Sequence, residues 1–311
     1  MAEESPKPTR KPTDEVLTLL AKTERQDQDA VRFSEDEARA VDGYLALEEV
    51  RLSEDHGAAL PQILHDLGKF DSLLATGKSI QRKEDIDAIC KLVFLKTLML
   101  GGPQVSDDLV PRLRGFVRLT TLTLRDGSLS GRTLGELAVL PELHLLALAE
   151  IRNWEAGAAT EVVKLKELRR FHAFRVSITN DDVQALVQSP HLTRLGLTDT
   201  AVTEAGWRMI GQSGRITHVK AGGPDVTSAG IQALAVSQSI EWMDLRFCPQ
   251  LDDAAVDALG TMPKLRKVQL HDKNQATLAV VRRLARLKPQ LRIQHPATDH
   301  WQKYGWGGFF E

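Results

Sequence analysis

Hydrophobic positions recur along the chain as L-x-x-L-x-L, with conservative substitutions. The pattern begins at Leu47, Phe70, Leu95, Leu119, Leu143, Leu168, Leu192, Ile216, Ile240 and Leu265, at intervals of 23, 25, 24, 24, 25, 24, 24, 24 and 25 residues. A period of this length marks a stack of supersecondary units, none of which can bury its apolar face alone. Each unit predicts a short strand, whose inward side chains alternate as Leu195 and Leu197 do, followed by a helix. About ten residues after a repeat start, an apolar residue precedes Ser106, Ser130, Thr179, Thr203, Thr227 or Asp252. These predict helix N-caps, because their side-chain oxygens accept from the orphan N–H groups of a first turn. Stretches such as DDVQALV and AGIQALA supply the helices, and Ser189-Pro190 and Met262-Pro263 break them before the next strand.

The best-formed units are LKTLML, LTTLTL, LHLLAL and LTRLGL. Residues 191–210, HLTRLGLTDTAVTEAGWRMI, and 215–234, RITHVKAGGPDVTSAGIQAL, carry Thr203/Gly206 and Thr227/Gly230 at matching places. Over roughly residues 45–292 the chain resembles the leucine-rich repeat family, in its ribonuclease-inhibitor-like and cysteine-containing, F-box-associated flavour. The resemblance implies an α/β solenoid, a curved horseshoe of about ten 24-residue repeats. A parallel sheet would line its concave face and helices its convex face. The ninth repeat position, Cys or Asn in that family, is Pro103, Gly127, Val176, Thr200, Pro224 and Cys248 here. A broken side-chain ladder and irregular turns are therefore expected.

The ends differ from the middle. Residues 1–13, with three prolines and many charges, read as a disordered N-terminus. Residues 14–46 read as a helical N-terminal cap, with a capping box over Ser34–Glu37, and residues 47–292 form the repeats. Residues 293–311 are an aromatic and glycine-rich tail that holds Trp301, Tyr304, Trp306, Phe309 and Phe310. The tail either folds back over the exposed edge of the last repeat, the favoured reading, or docks into a partner.

Composition excludes more than it assigns. The chain has 311 residues, a net charge of -2, and two cysteines, Cys90 and Cys248, too few for a disulfide scaffold. The N-terminus lacks the apolar run of a signal peptide and no stretch suits a membrane span, so a cytoplasmic protein without a membrane role is expected. His65 and Asp66 in LHDLGK look like the metal-binding pair of the HD phosphohydrolases, but over six residues at a repeat junction. A metal-dependent phosphohydrolase is thus an alternative of another class, and the structural reading is preferred. His295 and His300 flank Asp299 in a pattern that could hold a metal only weakly. No phosphate loop, catalytic triad or paired carboxylates stand out, so no enzyme, metal or cofactor is expected.

Repeat positions three, five and seven alternate away from the core. In the repeats at 95, 119 and 143 they are small, apolar and nearly uncharged. From 168 onward they become Arg170, His172 and Phe174, then Arg194, Gly196 and Thr198, then His218, Lys220 and Gly222. Trp242, Asp244 and Arg246 follow, and then Lys267, Gln269 and His271. Outward Trp242 and Phe174 among arginines point to a partner-binding patch, since Trp, Tyr and Arg dominate binding hot spots. Residues 264–292 carry nine Lys/Arg and one acidic residue. A protein partner with an acidic surface is expected, bound by an inhibitor- or immunity-type module; nucleic acid is the weaker option. The alternative within this class is a substrate-recognition adaptor of a ubiquitin ligase, although no F-box is recognisable.

Overall fold

The computed structural model describes residues 47–52, 56–67, 70–271 and 274–295. The expected disordered N-terminus and cap (1–46) and the five tail aromatics lie outside them. The chain divides into two compact units, Met1–Leu129 with Glu136–Leu146, and Ser130–Gly135 with Ala147–Glu311.

In the first unit, β1 (Leu47–Leu52), β2 (Phe70–Ala75), β3 (Thr97–Gly101) and β4 (Thr121–Arg125) pair in chain order, all parallel. The register sets Leu73 beside Leu98 and Leu98 beside Leu122, so each repeat's apolar residue stacks on its equivalent. Ala75, where the pattern leads one to expect leucine, is fully buried. The division between the units falls within β5 (Leu145–Ala149).

In the second unit, β6 (Arg170–Phe174), β7 (Arg194–Thr198), β8 (His218–Gly222), β9 (Trp242–Phe247), β10 (Lys267–Gln269) and β11 (Arg292–Gln294) likewise pair in order and in parallel. Phe171, Leu195, Val219, Met243 and Val268 form one fully buried row, and Ala173, Leu197, Ala221, Leu245 and Leu270 the next. Strands joined by helices at a 24-residue period, with apolar rows stacked in register, make this an α/β leucine-rich-repeat fold. The eleventh strand was not legible in the repeat pattern, because Gln290 stands where its first leucine would be and only three residues pair.

From Thr179 onward the helices follow the predicted cap positions. Thr179, Thr203, Thr227, Asp252 and Thr277 precede the helices Asn180–Leu186, Glu204–Gln212, Ser228–Leu234, Asp253–Leu259 and Leu278–Leu287. Thr227 Oγ1 accepts from the Gly230 N–H and Asp252 Oδ1 from the Ala255 N–H. Ser106 and Ser130 cap no α-helix. Ser106 forms a parallel bridge with Ser128, and Ser130 Oγ accepts from the Arg132 N–H. Only 3₁₀ turns follow them, Val110–Gly115 and Leu134–Val139. Pro111 in the first of these lacks the N–H that an α-helix interior would use.

The strand exits are more regular than the ninth-position residues imply. Position eight of six successive repeats adopts positive φ: Gly102 (134°), Asp126 (55°), Glu150 (55°), Arg175 (51°), Asp199 (50°) and Gly223 (110°). One backbone turn is therefore repeated, although neither glycine nor asparagine marks most copies of it. The inter-repeat polar ladder has moved to the helix N-termini. Asn180 Oδ1 accepts from the Thr203 N–H (3.1 Å), Ser228 Oγ from the Asp252 N–H (3.0 Å) and Asp253 Oδ1 from the Thr277 N–H (2.6 Å). Gly206 makes the first rung possible, since a Cβ there would sit 2.5 Å from Asn180 Oδ1.

The strongest polar staple is Asp182, fully buried in the Asn180–Leu186 helix. Its carboxylate accepts from the Thr179 N–H and Oγ1–H of its own cap, and from the Ala159 N–H and Trp154 Nε1–H of the preceding repeat. Asp182→Ala leaves these donors without their acceptor in a closed interior and is expected to cost about 3 kcal/mol. Urea unfolding of the variant beside the wild type measures that loss. An unchanged midpoint would show that the staple holds nothing.

Candidate functional site

Strand register in the second unit turns the outward positions into three rows that cross the strands. The first is Arg170, Arg194, His218, Trp242, Lys267 and Arg292. The second is His172, Gly196, Lys220, Asp244, Gln269 and Gln294. The third is Phe174, Thr198, Gly222 and Phe247. Neighbouring strands lie about 4.8 Å apart, so equivalent side chains leave the backbone side by side.

Electrostatics reflects that crowding. Six Lys/Arg side chains, Arg170, Arg194, Lys220, Arg246, Lys267 and Arg292, stand on these strands at outward positions against one carboxylate, Asp244. Burial and then the neighbouring Arg194 lower the Arg170 pKa. Burial lowers that of Lys267, and Arg246 and Arg292 add to the effect. Lys220 is lowered by burial and by Arg246, against a raising influence from Asp244. His172, whose Nε2 is out of contact with solvent, is pushed down to about 3 by burial and by Lys220, Arg170 and Arg194. His218 is lowered by burial and Arg194, partly offset by Glu241. Like charge is held together here, and a bound anion would relieve the strain.

Several expected contact residues are turned to internal use. Trp242 is only 9% exposed and is no outward anchor. Lys267 Nζ lies 5.7 Å from its ring centroid, and the His218 ring lies 5.8 Å away on the opposite neighbouring strand. The long side chains of the adjacent strands cover it, as strand alternation alone could not reveal. Asp244 is completely buried, because it takes both Arg246 Nε–H (2.9 Å) and Nη2–H (2.7 Å) on its carboxylate. Gln269 is buried and donates from Nε2 to Gln294 Oε1. His271 lies just beyond β10, half-buried.

A β-bulge changes the third row. The pairs Val219–Met243 and Lys220–Asp244 are in simple register, but Gly222 pairs with Phe247 rather than with Arg246. The extra residue in β9 folds Arg246 back onto Asp244 and brings Phe247 into the row that sequence alternation gave to Arg246. Phe247 is 39% exposed, with Lys220 Nζ 5.6 Å from its ring centroid. Phe174, 36% exposed, has the Arg175 guanidinium 4.7 Å from its centroid. Phe247 and Arg292 are the face residues that sequence reasoning missed. The 25-residue interval after Ile240 was the signal for the first, and the second lies on the unrecognised eleventh strand.

Of the other sequence candidates, the Asp66 side chain, Asp299 and His300 lie outside the described residues. His65 stands exposed on the helix Leu60–Asp66, and no three His, Cys, Asp or Glu side chains converge in a way that could hold a metal ion. Both cysteines are free, and burial pushes their thiols up, away from a nucleophilic thiolate. Among the described residues no helix is long and apolar enough to cross a membrane.

No protein-family model matches the sequence, and no curated protein matches it. Among solved structures, the chain is similar to the crystal structure of an internalin (inlF) from Listeria monocytogenes, at 14% sequence identity. The match covers 92% of this chain and 94% of that one, with a TM-score of 0.44.

The lowered imidazole pKa of His172 has a pH signature in stability. In the unfolded chain this group titrates near its ordinary value of 6.5, so between pH 6.5 and about 3 the unfolded state binds the extra proton. Stability from this residue is complete above pH 6.5 and declines as pH falls, by about 2 kcal/mol at pH 5. His172→Gln is expected to flatten the fall in unfolding midpoint between pH 7 and pH 5. Parallel pH profiles for wild type and variant would show that His172 does not carry the effect.

Proposed function

We propose that this protein is a non-catalytic binding module that recognises a protein partner with an acidic surface through strands β6–β11. Recognition is stoichiometric, of inhibitor or immunity type, in a cytoplasmic setting that suits two free thiols. The observation that carries this reading is the row of cations held in strand register, Arg170 beside Arg194 and Lys267 beside Arg292, where burial and then the neighbouring cations lower the pKa of Arg170 and of Lys267. A fold that needed only a solvated face would gain stability by mixing carboxylates into the row. Holding like charges together costs stability and is repaid when an acidic partner binds. Six strands at about 4.8 Å span roughly 24 Å, enough for one side of a standard protein–protein interface.

The reading is tested with Arg170→Glu/Arg194→Glu. Affinity capture from an extract of the protein's own cells, followed by titration of the captured partner, is expected to show about 100-fold weaker binding, equal to ~2.7 kcal/mol. Wild-type affinity should fall as salt rises, through screening of the same charges. Two adjacent glutamates repel one another much as the two arginines do, so the variant should melt close to the wild type. Binding that is indifferent to both the charge reversal and salt would place recognition elsewhere.

A further inference from the structure

The third row has a shape as well as a composition. Phe174 on β6 and Phe247 on β9 are separated by three strand spacings, roughly 14 Å. Between them lie Thr198 and Gly222, both buried and small. A Cβ at Gly222 would lie 2.9 Å from Thr198 Cγ2 and 3.1 Å from Phe247 Cβ, so only glycine keeps this floor low. Two exposed phenylalanines thus flank a low floor, a slot between them on β7 and β8, at the C-terminal ends of the strands. Its other end meets cations. Lys220 lies two residues back along β8, about 7 Å away, and Arg194 four residues back along β7, about 13 Å away. Gly196, in register between His172 and Lys220, adds no side chain to the floor between the two ends.

We propose that the slot receives an extended segment of the acidic partner, with one apolar side chain between Phe174 and Phe247 and carboxylates at Lys220 and Arg194. This rests on the acidic-partner reading above and adds to it the form of the recognised element. An extended chain repeats its side chains on one side every two residues, about 6.6 Å, which matches the spacing of the slot, Lys220 and Arg194. The recognised sequence is therefore an apolar residue with Asp or Glu two and four positions away. Phe247 reaches the slot only through the β9 bulge, which gives that irregularity a role in recognition.

The test selects a random twelve-residue peptide library, displayed on phage, against the full chain. The enriched peptides are then synthesised, and their binding is followed by fluorescence anisotropy. Enrichment of an apolar residue with acids at spacings of two and four is expected. Phe174→Ser/Phe247→Ser should weaken binding at least tenfold with an unchanged unfolding midpoint, as should Arg170→Glu/Arg194→Glu. Peptides that are acidic and lost on charge reversal, but indifferent to the two serines, would overturn the slot and leave the acidic-partner reading standing. Apolar and acidic residues enriched at spacings of three, four and seven would overturn the extended form in favour of a helix. Failure to enrich any peptide would also overturn the slot. Binding that survives charge reversal, or displacement of the peptides by a single-stranded oligonucleotide, would overturn the acidic-protein reading itself.

Discussion

Everything described in the second unit depends on the parallel hydrogen-bond register between successive strands. A repeat of 24 or 25 residues returns the chain to the same position one strand further along. Each buried leucine, valine or phenylalanine then lies on its counterpart, and the stack excludes water without any long-range design. The same register acts on the outward side chains, where it has a cost. Arg170 must lie beside Arg194, and Lys267 beside Arg292, whatever their charges prefer. The interaction that closes the core thus also concentrates positive charge on the opposite side of the strands.

Local devices keep that register at the turn after each strand. The ninth position holds proline, glycine, valine or threonine instead of the asparagine or cysteine that would tie the turn. Its duty is shared among three features: a positive-φ residue at position eight, helix N-terminal side chains that accept from the next repeat's cap, and Asp182, which joins two repeats through four donors. The turns are therefore uniform in backbone and diverse in sequence. Cys248 keeps the familiar role, donating from Sγ to the Ala221 carbonyl (3.1 Å).

The face is more economical than a count of its residue types implies. Trp242, Asp244 and Gln269 are consumed internally, and their packing orients Lys267, His218 and Arg246. What stays at the surface is a smaller set, two phenylalanines with cations two and four residues back along the strands. Under the proposed function, that reduction replaces a broad aromatic patch with a slot with a charged end, since only partly exposed groups can reach a partner.

The sequence by itself determined the fold class, the strand positions to within a residue or two, and where the helices from Asn180 onward begin, because these follow from short-range periodicity and local turn chemistry. It also located the basic rows, since alternation along a strand is a local rule. Only the tertiary structure decided which outward side chains are covered, because Trp242 and Gln269 are covered by residues 24 or 25 positions away and Asp244 by an arginine that the β9 bulge folds back. The bulge that exchanges Arg246 for Phe247 was decided in the same way, by how two paired strands accommodate an extra residue. The eleventh strand, recognisable only by its pairing with β10, belongs to the same class of facts.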